Sequence, residues 1–118
     1  MSLSAEDRNR ILKASLRDIF RISDKEYQRR IWIRGEGPEC DDFVEIVCRL
    51  FQKAESILEE PKRYGLSDIQ LHVFENFIQE FEKFSDVHDL PQLFIDSPEW
   101  TKITLMAKKV LEVFNYHK

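Results

Sequence analysis

A chain of 118 residues, 42% hydrophobic and 34% charged, has the length of a single domain and enough apolar bulk to bury a core without metal or disulfide staples. That composition excludes a disordered chain. No apolar run approaches the roughly 20 residues a membrane-spanning helix needs, and no signal-type apolar core follows the N-terminus, so the expected address is the cytoplasm with no membrane partner. The net charge of −4 hides an asymmetry: residues 1–34 carry nine basic and five acidic side chains, and the remainder carries nine basic and seventeen acidic ones.

Glycine and proline divide the chain. Gly35, Gly37, Gly65, Pro38, Pro61, Pro91 and Pro98 all fall between apolar-periodic stretches or at a first helical turn. None needs to sit in a helix interior, where each would be costly. An all-α fold follows, a compact single-domain bundle of about five helices over residues 1–118.

The first helix is expected from about Ala5 to Phe20, with Ser4 as its cap and Leu12, Leu16, Ile19 and Phe20 on one face. The second is expected from about Asp24 to Ile33, opened by a capping box of Ser23 and Glu26. Arg30-Ile-Trp-Ile-Arg34 is ambiguous, because its apolar triplet has strand character. No second strand-like run exists to pair with it, so a short helix ending at Gly35 is favoured. On a helix Ile31, Trp32 and Ile33 diverge, so either several sides are buried or Trp32 is exposed to a partner.

The third helix spans about Asp42 to Glu59, and the fourth about Asp68 to Phe84, opened by a Ser67/Gln70 capping box. Between Ser85 and Ser97, Leu90, Leu93, Phe94 and Ile95 are expected to tuck against the core around a short helical turn. The last helix spans about Pro98 to Tyr116, with proline at its first position and Trp100 packed in its first turn. The apolar stripes are broad enough to share one core.

No catalytic apparatus is legible. His72, His88 and His117 are widely spaced, and none pairs at i, i+4 with another histidine or cysteine, so no metal site is expected. His88 between Asp86 and Asp89 reads as a solvated loop. Gly35-Glu-Gly37 lacks the third glycine and the strand–helix context of a dinucleotide fingerprint, so no cofactor is expected. On one helix Cys40 and Cys48 would be roughly 12 Å apart at about 1.5 Å per residue, beyond the reach of a disulfide, so free thiols are expected. Neither an enzyme nor a small-molecule substrate is expected.

Arg10, Arg17, Arg21, Arg29 and Arg30 offer a basic patch, but five acids are interspersed and the chain is acidic overall. Nucleic-acid binding is therefore a minor alternative. The acidic run differs in kind. Glu36, Glu39, Asp41, Asp42 and Glu45 lie within residues 35–45, which hold no lysine or arginine. A helix N-terminus accounts for Asp41, Asp42 and Glu45. Glu36 and Glu39 project from the glycine–proline loop, and the whole set suits a basic partner.

Tyr27-Gln28, the stretch Arg30-Ile-Trp-Ile-Arg-Gly-Glu-Gly-Pro-Glu39, Asp42-Phe43, Ser97-Pro-Glu-Trp100 and Val113-Phe-Asn-Tyr116 resemble small bacterial immunity proteins of polymorphic-toxin and contact-dependent inhibition systems, over residues 20 to 116. The resemblance implies a stoichiometric inhibitor of a toxin domain made by the same cell. It implies an acidic surface that plugs a cationic cleft. The expected contact set is Glu36, Glu39, Asp41, Asp42 and Glu45, with Trp32 as an aromatic anchor. The bland alternative is a helical adaptor or regulatory protein.

Overall fold

Short polar side chains start nearly every helix, each at a point where backbone amides would otherwise lack acceptors. The computed structural model describes residues 3–37 and 42–116. Helix α1 (Ala5–Ser23) begins where Ser4 Oγ accepts from the Asp7 amide at 3.0 Å. It runs past the expected end at Phe20 because Ile22 is also fully buried. Ser23 sits inside its last turn, donating to the Phe20 carbonyl at 2.6 Å.

The expected Ser23/Glu26 box does not form. The break comes one residue later, and Asp24 accepts from the Tyr27 amide at 3.1 Å to open α2 (Lys25–Tyr27). This short helix passes directly into a π-helical segment, Gln28–Ile33. In that wider turn residues five apart become neighbours, and Tyr27 and Trp32 meet edge to face at 6.3 Å. Ile31 is buried, Trp32 half-buried and Ile33 exposed.

Helix α3 (Phe43–Glu59) is capped by Asp42, which accepts from the Glu45 amide at 2.8 Å. Helix α4 (Asp68–Val87) opens with the expected box: Ser67 Oγ accepts from the Gln70 amide, and Gln70 Oε1 accepts from the Ser67 amide. A four-residue helix α5 (Pro91–Phe94) supplies the expected turn, and α6 (Pro98–Val113) follows Ser97, with Pro98 in the first turn. The fold is all-α, with no strand among the described residues.

Helix α6 packs against α1 and α4, while α3 packs against α1 and α4. One apolar cluster joins them, including Ile19, Ile46, Leu50, Phe74, Phe77, Trp100 and Val110. Of the polar residues buried in this interior, Ser15 and Thr104 bond to their own helices, and two others link separate elements. Asp18, with 4% of its side chain exposed, accepts from Arg49 Nη2 and Lys53 Nζ of α3, each at 3.1 Å. Gln28, fully buried, donates from Nε2 to the carbonyls of Arg21 and Ile22 and accepts from Trp100 Nε1 at 2.8 Å. Its amide thus ties the end of α1 to the first turn of α6.

Candidate protein-binding site

Five elements converge on an aromatic cluster at one end of the bundle. Trp100 is its centre, with Phe94 at 4.8 Å, Phe84 at 5.2 Å, Phe43 at 5.8 Å and Trp32 at 6.3 Å between ring centroids. The rings are tilted or edge-on, the arrangements their quadrupoles favour. Phe43 opens α3, Phe84 lies in the last turn of α4, Phe94 closes α5, and Trp32 belongs to the π-helical segment. The cluster therefore holds the two ends of the acidic loop and the 85–97 segment together.

Outside this cluster lies an apolar surface. Val87 and Leu93 are 75% and 78% exposed, and Val44, Leu90 and Ile33 are exposed as well. This corrects the expectation for residues 85–97: Phe94 and Ile95 are buried, whereas Leu90 and Leu93 face outward. One turn of helix cannot turn four apolar residues inward, so the two nearest the aromatic core win. His88 stacks on Phe84 with centroids 4.2 Å apart, rather than standing free in a loop.

Carboxylates are exposed on the same segments of the chain. Glu36, Asp42, Glu45, Asp86, Asp89 and Asp96 are all exposed. Two are engaged by arginines of the same end: Glu36 lies 3.4 Å from Arg34, and Asp96 accepts from Arg29 at 2.6 Å. The Arg29 hydrogen bond holds the Asp96 carboxyl below the usual carboxylate range and raises the guanidinium in turn. Asp42 is occupied in capping α3. No salt bridge joins Asp42, Glu45, Asp86 or Asp89 to another described residue.

Of the contact set expected from sequence, Glu36, Asp42 and Glu45 therefore sit at this end. Glu39 and Asp41 lie outside the described residues, as does Cys40. Trp32 is half-buried, wedged among Tyr27, Phe43 and Trp100, and its Nε1 has no hydrogen-bond partner among the described residues. Asp86, Asp89, Leu90 and Leu93, outside the expected set, are also exposed at the end of α4 and in the segment after it. Their signal in the sequence was an alternation of aspartate and aliphatics beside a proline.

The arginines read as one patch divide between two places, with Arg21 and Arg30 both over the Tyr27 ring, Arg21 at 5.3 Å. Arg29 is bound to Asp96, Arg30 lies 5.8 Å from the Tyr27 ring, and Arg10 and Arg17 line a groove on α1. Among the described residues no three His, Cys, Asp or Glu side chains converge to hold a metal. No helix among them is long and apolar enough to cross a membrane. Cys48 is an exposed free thiol. The fold and this end define an all-α helical bundle with an acidic, partly apolar face. Comparison with family models, with curated proteins and with solved structures finds no match to this chain.

Proposed function

We propose that this protein works by binding another protein, a basic toxin domain, and blocking it as an immunity-type inhibitor. One observation carries the reading: Asp42, Glu45, Asp86 and Asp89, exposed and with no ion pair to another described residue, lie on the same segments as the exposed Val44, Val87, Leu90 and Leu93. Interfaces draw their affinity from a desolvated apolar centre and their capture rate from complementary charge at the rim. An acidic rim selects a partner with a basic surface. The inhibitor class rests on the family resemblance of residues 20 to 116. Trp32, half-buried against Phe43, braces the start of α3.

The test begins with affinity capture and mass spectrometry, followed by association kinetics with the captured protein. Glu36→Lys, Glu45→Lys and Asp89→Lys together should slow association by about tenfold or more and flatten its salt dependence. Asp42 is left unchanged, since reversing it would also remove the α3 cap. Leu93→Asp should speed dissociation. A triple variant that associates at the wild-type rate with the same salt dependence refutes the acidic face as the contact surface.

A further inference from the structure

A second surface has the opposite character. Arg10, Lys13 and Arg17 recur at i, i+3 and i+7 along α1 and so share one face. All three line an open groove of about 720 Å³. Its opposite wall is built by the end of α6. There the Tyr116 amide donates to the Leu111 carbonyl at 2.9 Å and the Asn115 amide to Glu112 at 3.1 Å, with Asn115 at φ 52°. This is a Schellman termination with asparagine in the left-handed position. It sends the chain back over α1, where the Tyr116 ring lies 6.2 Å from Phe20. Phe114 and Tyr116 both line the groove, Asn9 and Asn115 add amides, and Gln70 on the same wall is already engaged by the Ser67 amide and the Val113 carbonyl.

Among the described residues, no acidic side chain lines the groove. Lys13 and Arg17 make no ion pair with a described residue. Among the described residues Arg10 pairs with Glu6, at 3.3 Å with both side chains largely in water, a pairing that competes weakly with a ligand. Arg10 and Arg17 are roughly 10 Å apart along the helix at about 1.5 Å per residue, a span that suits more than one phosphate. The volume falls in the range of small-ligand sites. On a chain with net charge −4, an anion is steered to this groove and repelled from the acidic end.

We propose that the groove between α1 and the returning C-terminal residues binds nucleotides: phosphate on Arg10, Lys13 and Arg17, and the base on the Phe114 and Tyr116 wall. Guanidinium and ammonium groups take phosphate oxygens through charge-assisted hydrogen bonds. Aromatic side chains beside a cationic track accept the flat face of any base. The nucleotide is free or part of a short single strand, and this site is independent of the protein-binding end.

The full chain is titrated with ADP by calorimetry and with a short fluorescein-labelled oligo(dT) by anisotropy, both at low salt. Binding of ADP identifies a free nucleotide as the ligand, and binding of oligo(dT) alone identifies a single strand; either supports the site. Lys13→Glu with Arg17→Glu, at exposed positions that leave the core intact, should weaken binding at least about tenfold. Tyr116→Ala should weaken it as well, whereas Lys83→Glu on α4, outside the groove, should not. Failure of both probes to bind overturns the proposal. So does equal binding of inorganic pyrophosphate or a poly-glutamate peptide, or an equal effect of Lys83→Glu.

Discussion

Replacing Gln28 with leucine tests whether the buried amide holds the two ends of the fold together. In the wild type Nε2 donates to the Arg21 carbonyl at 2.9 Å and the Ile22 carbonyl at 2.7 Å, and Oε1 accepts from Trp100 Nε1 at 2.8 Å. The Arg21 carbonyl keeps a second donor, the Asp24 amide at 3.3 Å. Leucine would therefore leave two buried groups unpaired, the Ile22 carbonyl and the Trp100 indole N–H. Each orphan costs about 1–3 kcal/mol, and the added apolar burial of leucine offsets part of this. The net loss is about 2–4 kcal/mol. With a urea slope of about 1.5 kcal/mol/M, the unfolding midpoint falls by about 1–3 M at an unchanged slope. Tryptophan fluorescence follows the transition. Trp100→Phe removes the same hydrogen bond from the other side, so the double variant should cost less than the sum of the two single ones. A loss below about 0.5 kcal/mol for Gln28→Leu, or strict additivity in the double variant, would show that the buried amide does not tie the end of α1 to α6.

Two further perturbations probe the charged groups. Asp18→Asn keeps the shape but removes the charge that Arg49 and Lys53 share. The expected loss is about 2 kcal/mol in urea unfolding, less than for a fully enclosed pair because both cations are partly solvated. An unchanged midpoint would show that the pair is neutral. Asp96 ionises below the usual carboxylate range because Arg29 hydrogen-bonds it. A depressed carboxyl favours the native state above the ordinary carboxylate range, and that contribution disappears as pH falls through the lowered value. Arg29→Gln should move the Asp96 carboxyl upward in an NMR titration, and an unmoved titration would remove Arg29 as the cause.

The helices were legible because their causes are local. Ser4, Ser67 and Ser97 cap the elements they precede, and the glycines and prolines stay out of helix interiors. The missed detail at Ser23 shows the limit of that reading. Ser23 and Asp24 are adjacent and both are good caps, and burial of Ile22 pulled α1 one turn further and passed the role to Asp24. The π-helical segment had no local signature at all. It accompanies the packing of Trp32 against Tyr27, Phe43 and Trp100, the last two of which belong to α3 and α6.

The candidate site divides in the same way. Glu36, Asp42 and Glu45 stood out as a run of like charge, since proximity along the chain is visible in the sequence. Asp86, Asp89, Leu90 and Leu93 join them only because Phe43, Phe84, Phe94 and Trp100 bring the start of α3 to the end of α4. The α1 stripe of Arg10, Lys13 and Arg17 was present in the sequence as helical spacing, but its aromatic wall comes from residues a hundred positions away. Amino-acid order by itself determined that this chain is helical, where its helices start, and which charges neighbour one another on each. Tertiary structure alone decided which of those faces meet, because contacts between distant segments depend on the packing of the whole core rather than on any stretch of backbone.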